Sequence, residues 1–236
     1  MQQWIALEEY KILPSVPVIE FTDGYGNLCQ RLNAPPGRFA IYTSAQVMTA
    51  DYVDQAPGAV FIDIAHLPDS VLSYLLPSRY CESDRFCQMA IDITAGELMG
   101  YDQVAAITSW IRKMIRYEPN NSDTLVSATE VNARGYGVCR DFAHLGIALC
   151  RSLSIPARMV VGYLYRLEPM DFHAWFEAYV GGRWYAFDAT QFEMGGGYVA
   201  MGYGRDAADV AVYNQFGPAI YPIEKSVHVK QIHKSD

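Results

Sequence analysis

The feature that most constrains the fold of this chain is a pair of glycines, Gly181-Gly182, set between two runs rich in aromatic and apolar residues. Two such residues between extended segments specify a tight β-hairpin, because glycine readily adopts the positive φ that these turns require. The spacing predicts strands over 173–180 and 183–188 and fixes how they meet. Val180 faces Arg183, Tyr179 faces Trp184, and Trp175 faces Asp188. His173 precedes Trp175 by two residues, so it shares a face with Asp188 as a diagonal neighbour, roughly 7–8 Å away through the backbone and within side-chain reach. A slip of one residue would send the two to opposite faces. A carboxylate so placed can orient an imidazole and stabilise its charged form. Taken separately, each residue is equally well read as incidental to a hairpin surface.

Upstream, Gly135-Tyr136-Gly137-Val138 leads into Cys139. Phe142, Leu145, Gly146, Leu149 and Leu153 then recur at helical spacing, so Cys139 opens a helix. The first N–H groups of a helix lack internal partners and, with the macrodipole, favour negative charge. A cysteine there ionises more readily, and the same N–H groups can receive an oxyanion. Alone, Cys139 is better read as a small buried residue at a loop–helix junction. Joined with a His–Asp pair on adjacent strands, it completes a set of nucleophile, base and orienter.

The rest of the chain supplies the setting. Residues 1 to about 75 are strand-rich, with VPVIEF, FAIYTS and AVFIDIA separated by turns at Asp23–Asn27, Pro35-Pro36-Gly37 and Pro57-Gly58. A β-sheet or small sandwich is expected there. The polar stretch LPSRYCESD marks a boundary, giving a β-rich N-terminal domain over 1–76 and a catalytic core over 77–236. Val104, Ile107, Ile111 and Met114 predict a helix over 101–117, which Asn120-Asn121-Ser122-Asp123 ends in a loop. A strand is expected over 157–167. The glycine-rich stretch 195–204 reads as a loop, and VHVKQIH near the C-terminus as an alternating run that returns to a sheet.

Composition narrows the function. The 236 residues carry a formal net charge of −8 with no basic cluster, which makes nucleic acid and anionic membranes poor partners. The start of the chain lacks a signal-peptide pattern, and no stretch approaches the roughly 20 apolar residues of a spanning helix. Five cysteines without a framework suit a reduced, cytoplasmic setting. The histidines are scattered, and C-x-x-C, H-E-x-x-H, phosphate-loop and dinucleotide patterns are absent, so no metal or cofactor is expected.

Neighbouring residues have plainer readings. His144 lies five positions after Cys139, about 140° around the helix, and reads as a hydrogen-bonded, partly buried histidine rather than the base. Asp141 suits a first-turn cap. His228 and His233 are expected to be solvated. Trp175 walls the site or simply packs, and Tyr136 lines the pocket, donates to an oxyanion or belongs to the core. Arg205, Asp206 and Asp209 read as a structural turn with an ion-pair network.

Three blocks, GYGVCRDFAHLGIALCRSLSIPARMVVGYL, DFHAWFEAYVGGRWYAFDAT and YGRDAADVAV, resemble the bacterial transglutaminase-like proteins over roughly residues 100 to 215. The resemblance implies an α+β, papain-like (transglutaminase-like) cysteine protease core with an antiparallel sheet, preceded by a smaller β-rich domain. It places the nucleophile, base and orienting acid on Cys139, His173 and Asp188. One departure is Ala189, where the family has proline after the aspartate. A following proline holds its predecessor extended, so Asp188 is expected to rely on the strand ladder alone. The implied chemistry is acyl transfer on an amide of a protein or peptide substrate, with hydrolysis through a thioester as the leading outcome. Protein-glutamine transglutamination, or a non-catalytic peptide-binding scaffold, are the alternatives. Oligomeric state is left open.

Overall fold

A computed structural model describes residues 3–119, 125–218 and 221–232. The N-terminal strands form two separate antiparallel ribbons rather than one sheet or sandwich. β1 spans Gln3–Leu13, while β2 (Val18–Thr22) pairs with β3 (Leu28–Leu32), from Val18↔Leu32 to Thr22↔Leu28. β4 (Ala40–Thr49) runs along β1 from Gln3↔Thr49 to Leu13↔Ala40. The turn between β2 and β3 is held by Asp23, whose Oδ1 accepts from the N–H groups of Tyr25 (2.8 Å) and Asn27 (2.9 Å). No residue from 5 to 50 is buried, so these ribbons add little core.

The expected strand at AVFIDIA does not form. Val60 makes an isolated bridge to Gly100, and Ile64–His66 is a turn of 3-10 helix. Asp63 is the reason: its carboxylate accepts from the Ala65 N–H at 2.9 Å and diverts the backbone from a ladder. Short helices α1 (Asp69–Leu72) and α2 (Cys87–Ile93) follow.

Helix α3 (Tyr101–Met114) buries Val104, Ile107 and Ile111, as its periodicity predicts, whereas Met114 at its last position is exposed. It stops short of 117, because Arg116–Tyr117 form a short strand, β5. The loop expected at 120–123 lies outside the described residues. Helix α4 (Ala128–Arg134) starts at a Ser127–Glu130 capping box and ends on Gly135, whose φ of 71° turns the chain. Tyr136–Gly137 form β6, which pairs in parallel with β5.

Helix α5 (Cys139–Ser152) then runs through the middle of the molecule, buried continuously from Asp141 to Arg151. It lies against a four-stranded antiparallel sheet of β7 (Ala157–Leu164), β8 (His173–Val180), β9 (Arg183–Phe187) and β10 (Tyr198–Gly204), in the order β10-β7-β8-β9. Gly146 permits the close approach, since a Cβ there would sit 2.5 Å from Cε1 of Phe176 on β8. Along β8, Ala174, Phe176, Ala178 and Val180 join the cluster that includes α5, while Trp175 packs with Val160, Ala186, Tyr198 and Val53 on the other side.

The hairpin has the predicted register, with Val180↔Arg183, Tyr179↔Trp184 and Phe176↔Phe187. Gly181 and Gly182 take φ of 57° and 86°. Two other expectations fail. The glycine-rich stretch contains β10, an edge strand beside β7. Its buried positions are Tyr198, Ala200, Gly202 and Gly204, and alanine and glycine hide a period of two from hydropathy. The VHVKQIH run forms no ladder over its described residues, although Val227 and Val229 are half-buried between exposed neighbours. His228 is exposed as expected, and His233 lies outside the described residues. No helix of the described residues is long and apolar enough to cross a membrane.

Candidate active site

Cys139 is the first residue of α5 and is half-buried. The helix start is held by Asp141, which is fully buried. Its Oδ2 accepts from the Val138 N–H at 3.1 Å and from Arg134 Nη2 at 2.7 Å, and Arg140 Nε reaches Oδ1 at 3.2 Å. Asp141 is thus the cap that its first-turn position suggests. Cys81 and Cys150 are buried elsewhere in the core, where burial pushes their thiols up.

The hairpin register delivers His173, at the start of β8, to Asp188, just past the end of β9. His173 Nε2 and Asp188 Oδ2 are 2.6 Å apart, and both side chains are essentially out of solvent. Asp188 is not left to the strand ladder, contrary to the expectation drawn from Ala189. Its Oδ1 accepts from the Thr190 N–H (2.9 Å) and hydroxyl (2.7 Å), and its Oδ2 accepts from the Tyr198 hydroxyl at 2.9 Å. Arg112 on α3 donates to its carbonyl at 3.4 Å.

Burial favours a protonated Asp188, but the hydrogen bond and charge of His173 and the Thr190 bonds outweigh it and hold the carboxyl below its ordinary range. Burial likewise opposes a charged His173. The bonds and charges supplied by Asp188 and Cys139 win, and push its pKa up to about 10. The second ring nitrogen, Nδ1, is buried and makes no well-formed hydrogen bond among the described residues. It is the Cys139 thiol that lies within interaction range of this imidazole.

Trp175 is buried and stacks on His173, with centroids 6.0 Å apart and planes at 26°, while Tyr198 meets Trp175 edge-on at 5.1 Å. Tyr136 is only partly buried, and its ring lies under the guanidinium groups of Arg134 (4.7 Å) and Arg116 (5.7 Å).

Three residues around this site escaped sequence reasoning. Thr190 was within reach, since a residue two positions after an aspartate commonly closes a turn on its carboxylate. Tyr198 was not, because it requires β10 to lie beside β7. Tyr117 pairs with Gly137 across β5 and β6, and its ring meets Phe142 of α5 edge-on at 5.7 Å. Burial, then the charges of Cys139, Asp188 and Asp171, raise its pKa and keep its hydroxyl protonated.

His144 stands apart from this group. Its Nδ1 donates to the Val126 carbonyl (3.2 Å), its Nε2 accepts from the Ala207 N–H (3.2 Å), and Tyr80 stacks on the ring at 5.2 Å. Burial pushes its pKa down to about 4. The segment carrying Ala207 is the expected structural turn: Arg205 pairs with Asp209 at 2.7 Å, and buried Asp206 accepts from the Tyr80 N–H at 2.7 Å. Tyr25 donates to Asp209 at 2.6 Å and Asn27 bonds both backbone groups of Tyr203, tying the β2–β3 turn to the core.

A model of the Transglutaminase-like superfamily matches residues 88–189, a span that holds Cys139, His173 and Asp188. A solved protein from Cytophaga hutchinsonii, described as a "putative cysteine protease", is 38% identical; the match covers 89% of this chain and 74% of that one, with a TM-score of 0.79. The uncharacterized protein ML0607 of Mycobacterium leprae (strain TN) is 26% identical over 223 residues, which is 89% of this chain and 80% of that protein. The fold is accordingly that of the transglutaminase-like cysteine proteases. The chain belongs to the transglutaminase-like superfamily. Membership supports cysteine-based catalysis as the general class of chemistry.

Proposed function

We propose that this protein hydrolyses amide bonds of a peptide or protein through a cysteine thioester, with Cys139 as nucleophile, His173 as acid and base, and Asp188 as the residue that orients His173. The observation that carries this reading is the 2.6 Å bond between buried His173 and Asp188, with the Cys139 thiol close enough to act on the same imidazole. A cationic imidazole next to a sulfur at a helix start favours the thiolate.

The thiolate forms a bond to the amide carbonyl carbon. The oxyanion is received by the Cys139 backbone N–H, with the Tyr117 hydroxyl as second donor. Tyr117 is suited to this because its strand partner precedes Cys139 by two residues and its ring neighbour follows by three. The C–N bond breaks as the His173 imidazolium gives its proton to the amine. Neutral His173 then takes a proton from water, which attacks the thioester, and the C–S bond breaks to release the acid. A primary amine in place of that water would give the transferase outcome, so the acyl acceptor decides between the two. The five cysteines, none in a disulfide, support placing the protein in the cytoplasm.

Alkylation with iodoacetamide near neutral pH tests the nucleophile. Cys139 should label faster than exposed Cys87, and Cys139→Ala should lose hydrolysis of peptide or glutaminyl amides. Labelling of Cys139 no faster than Cys87 would sink the reading.

A further inference from the structure

A second binding feature lies immediately before His173. Lys225, in the C-terminal stretch that has neither helix nor strand, places its Nζ 2.8 Å from the Asp171 carboxylate. The same ammonium sits over the ring of Phe172 at 5.6 Å. Phe172 is steadied by Tyr163 at 5.5 Å, and Asp171 Oδ1 accepts the Phe172 N–H at 2.7 Å. A carboxylate and an aromatic face converging on one ammonium make a recognition unit for a cationic side chain. The unit belongs to the proposed catalytic surroundings, because Asp171 and Phe172 immediately precede His173 in the chain. Its present occupant is lightly held: the Lys225 and Asp171 side chains are 52% and 44% exposed, and ion pairs of that kind are weak and screened by salt.

We infer that Asp171 and Phe172 form a subsite for a lysine or arginine side chain of the peptide substrate, and that Lys225 of the chain's own C-terminal segment occupies it as an internal competitor. The inference rests on the proposed hydrolysis for its biological sense. Two consequences follow from the contacts alone. Removing the lysine should open the subsite, and removing the carboxylate should abolish selection by charge.

The test uses the full chain and matched peptides that differ only in lysine, norleucine or glutamate beside the scissile amide. Lys225→Ala should raise kcat/KM for the lysine peptide by roughly three- to tenfold, the range of one exposed ion pair with a cation–π contact. The norleucine peptide should change little. Asp171→Asn keeps the oxygen that accepts from Phe172 and should erase the preference for lysine. In Asp171→Lys combined with Lys225→Asp, the preference should turn towards glutamate. The lysine advantage should shrink as salt rises.

A second readout needs no turnover: the lysine peptide should protect Cys139 of the Lys225→Ala protein from iodoacetamide better than the norleucine peptide does. Equal protection by both peptides, or a lysine preference that survives Asp171→Asn, overturns the subsite. Absence of hydrolysis together with selective protection would overturn the proposed function and leave the subsite standing.

Discussion

Two histidines in this molecule are equally hidden from water and carry opposite charge behaviour. His144 lies in the middle of α5 and His173 at the start of β8, with 0% and 1% of their surfaces exposed. Burial pushes both towards the neutral form. Around His144 the partners are a backbone carbonyl and a backbone N–H, which fit a neutral ring and leave its pKa down at about 4. Around His173 burial is outweighed by a carboxylate at 2.6 Å and a thiol, and the pKa rises to about 10. Depth alone therefore says little about charge; the hydrogen-bonding character of the neighbours decides it.

Substituting each histidine gives the widest separation. His173→Asn should lower kcat/KM by about 10²–10⁴-fold, the usual worth of a general acid–base, with folding retained. His144→Phe should leave activity per folded molecule nearly intact. It strands the Ala207 N–H and the Val126 carbonyl, so it should cost about 2–5 kcal/mol of stability by urea unfolding. Equal loss of activity in both variants would count against His173 as the base.

The pH dependence of stability separates them next, with opposite signs. His173 has a raised pKa, so its stabilisation is full below about pH 6.5 and is lost as pH climbs through about 10. His144 has a lowered pKa, so its contribution is full above about 6.5 and is lost as pH falls through about 4. Asp188, lowered from 3.8, weakens the fold only on the acid side of that value. Denaturant midpoints across pH should show the His144→Phe difference narrowing in acid and the His173→Asn difference narrowing in alkali.

Tyr198→Phe probes the balance inside the charged pair. Tyr198 and His173 share the same oxygen of Asp188. Removing the hydroxyl leaves that oxygen to the imidazolium, so the alkaline limb of the pH–rate profile should move upward by up to about one unit, the worth of one hydrogen bond of about 1 kcal/mol. A downward move would show that Tyr198 does not compete with His173. The smallest effect is expected at Tyr25→Phe, about 1 kcal/mol of stability, since it removes the hydroxyl's bonds to Asp209 and Arg205, which keep each other as partners, from the turn that carries the Ala207 donor to His144.

The fold's centre was legible because it rests on short-range rules. Gly181-Gly182 fixed a register, and the register carried His173 to Asp188 without tertiary knowledge. The helix from Cys139 and the cap at Asp141 followed from periodicity and helix electrostatics. His144 was separated from the base by rotation angle alone. What stayed hidden depends on contacts between distant segments. Tyr198 reaches Asp188 only once β10 lies beside β7, and Tyr117 nears Cys139 only through the β5–β6 pairing. At AVFIDIA an apolar run resembles a strand because hydropathy registers Asp63 as one polar residue among seven, and not as a cap that bends the chain.

The clasp at the start of α5 has a consequence for how reactivity is maintained. Asp141 places a fixed negative charge within the first turn of the helix that begins at Cys139, where it would resist a second negative charge on sulfur. Arg134 and Arg140 both lie on that carboxylate and offset it. The electrical environment of the sulfur therefore includes, besides His173, these three side chains, two of them on the outskirts of the site and partly open to solvent. Sequence drift at either arginine, which would look harmless from its surface position, would leave part of the buried Asp141 charge without its partner and so act on the helix start and on the sulfur together.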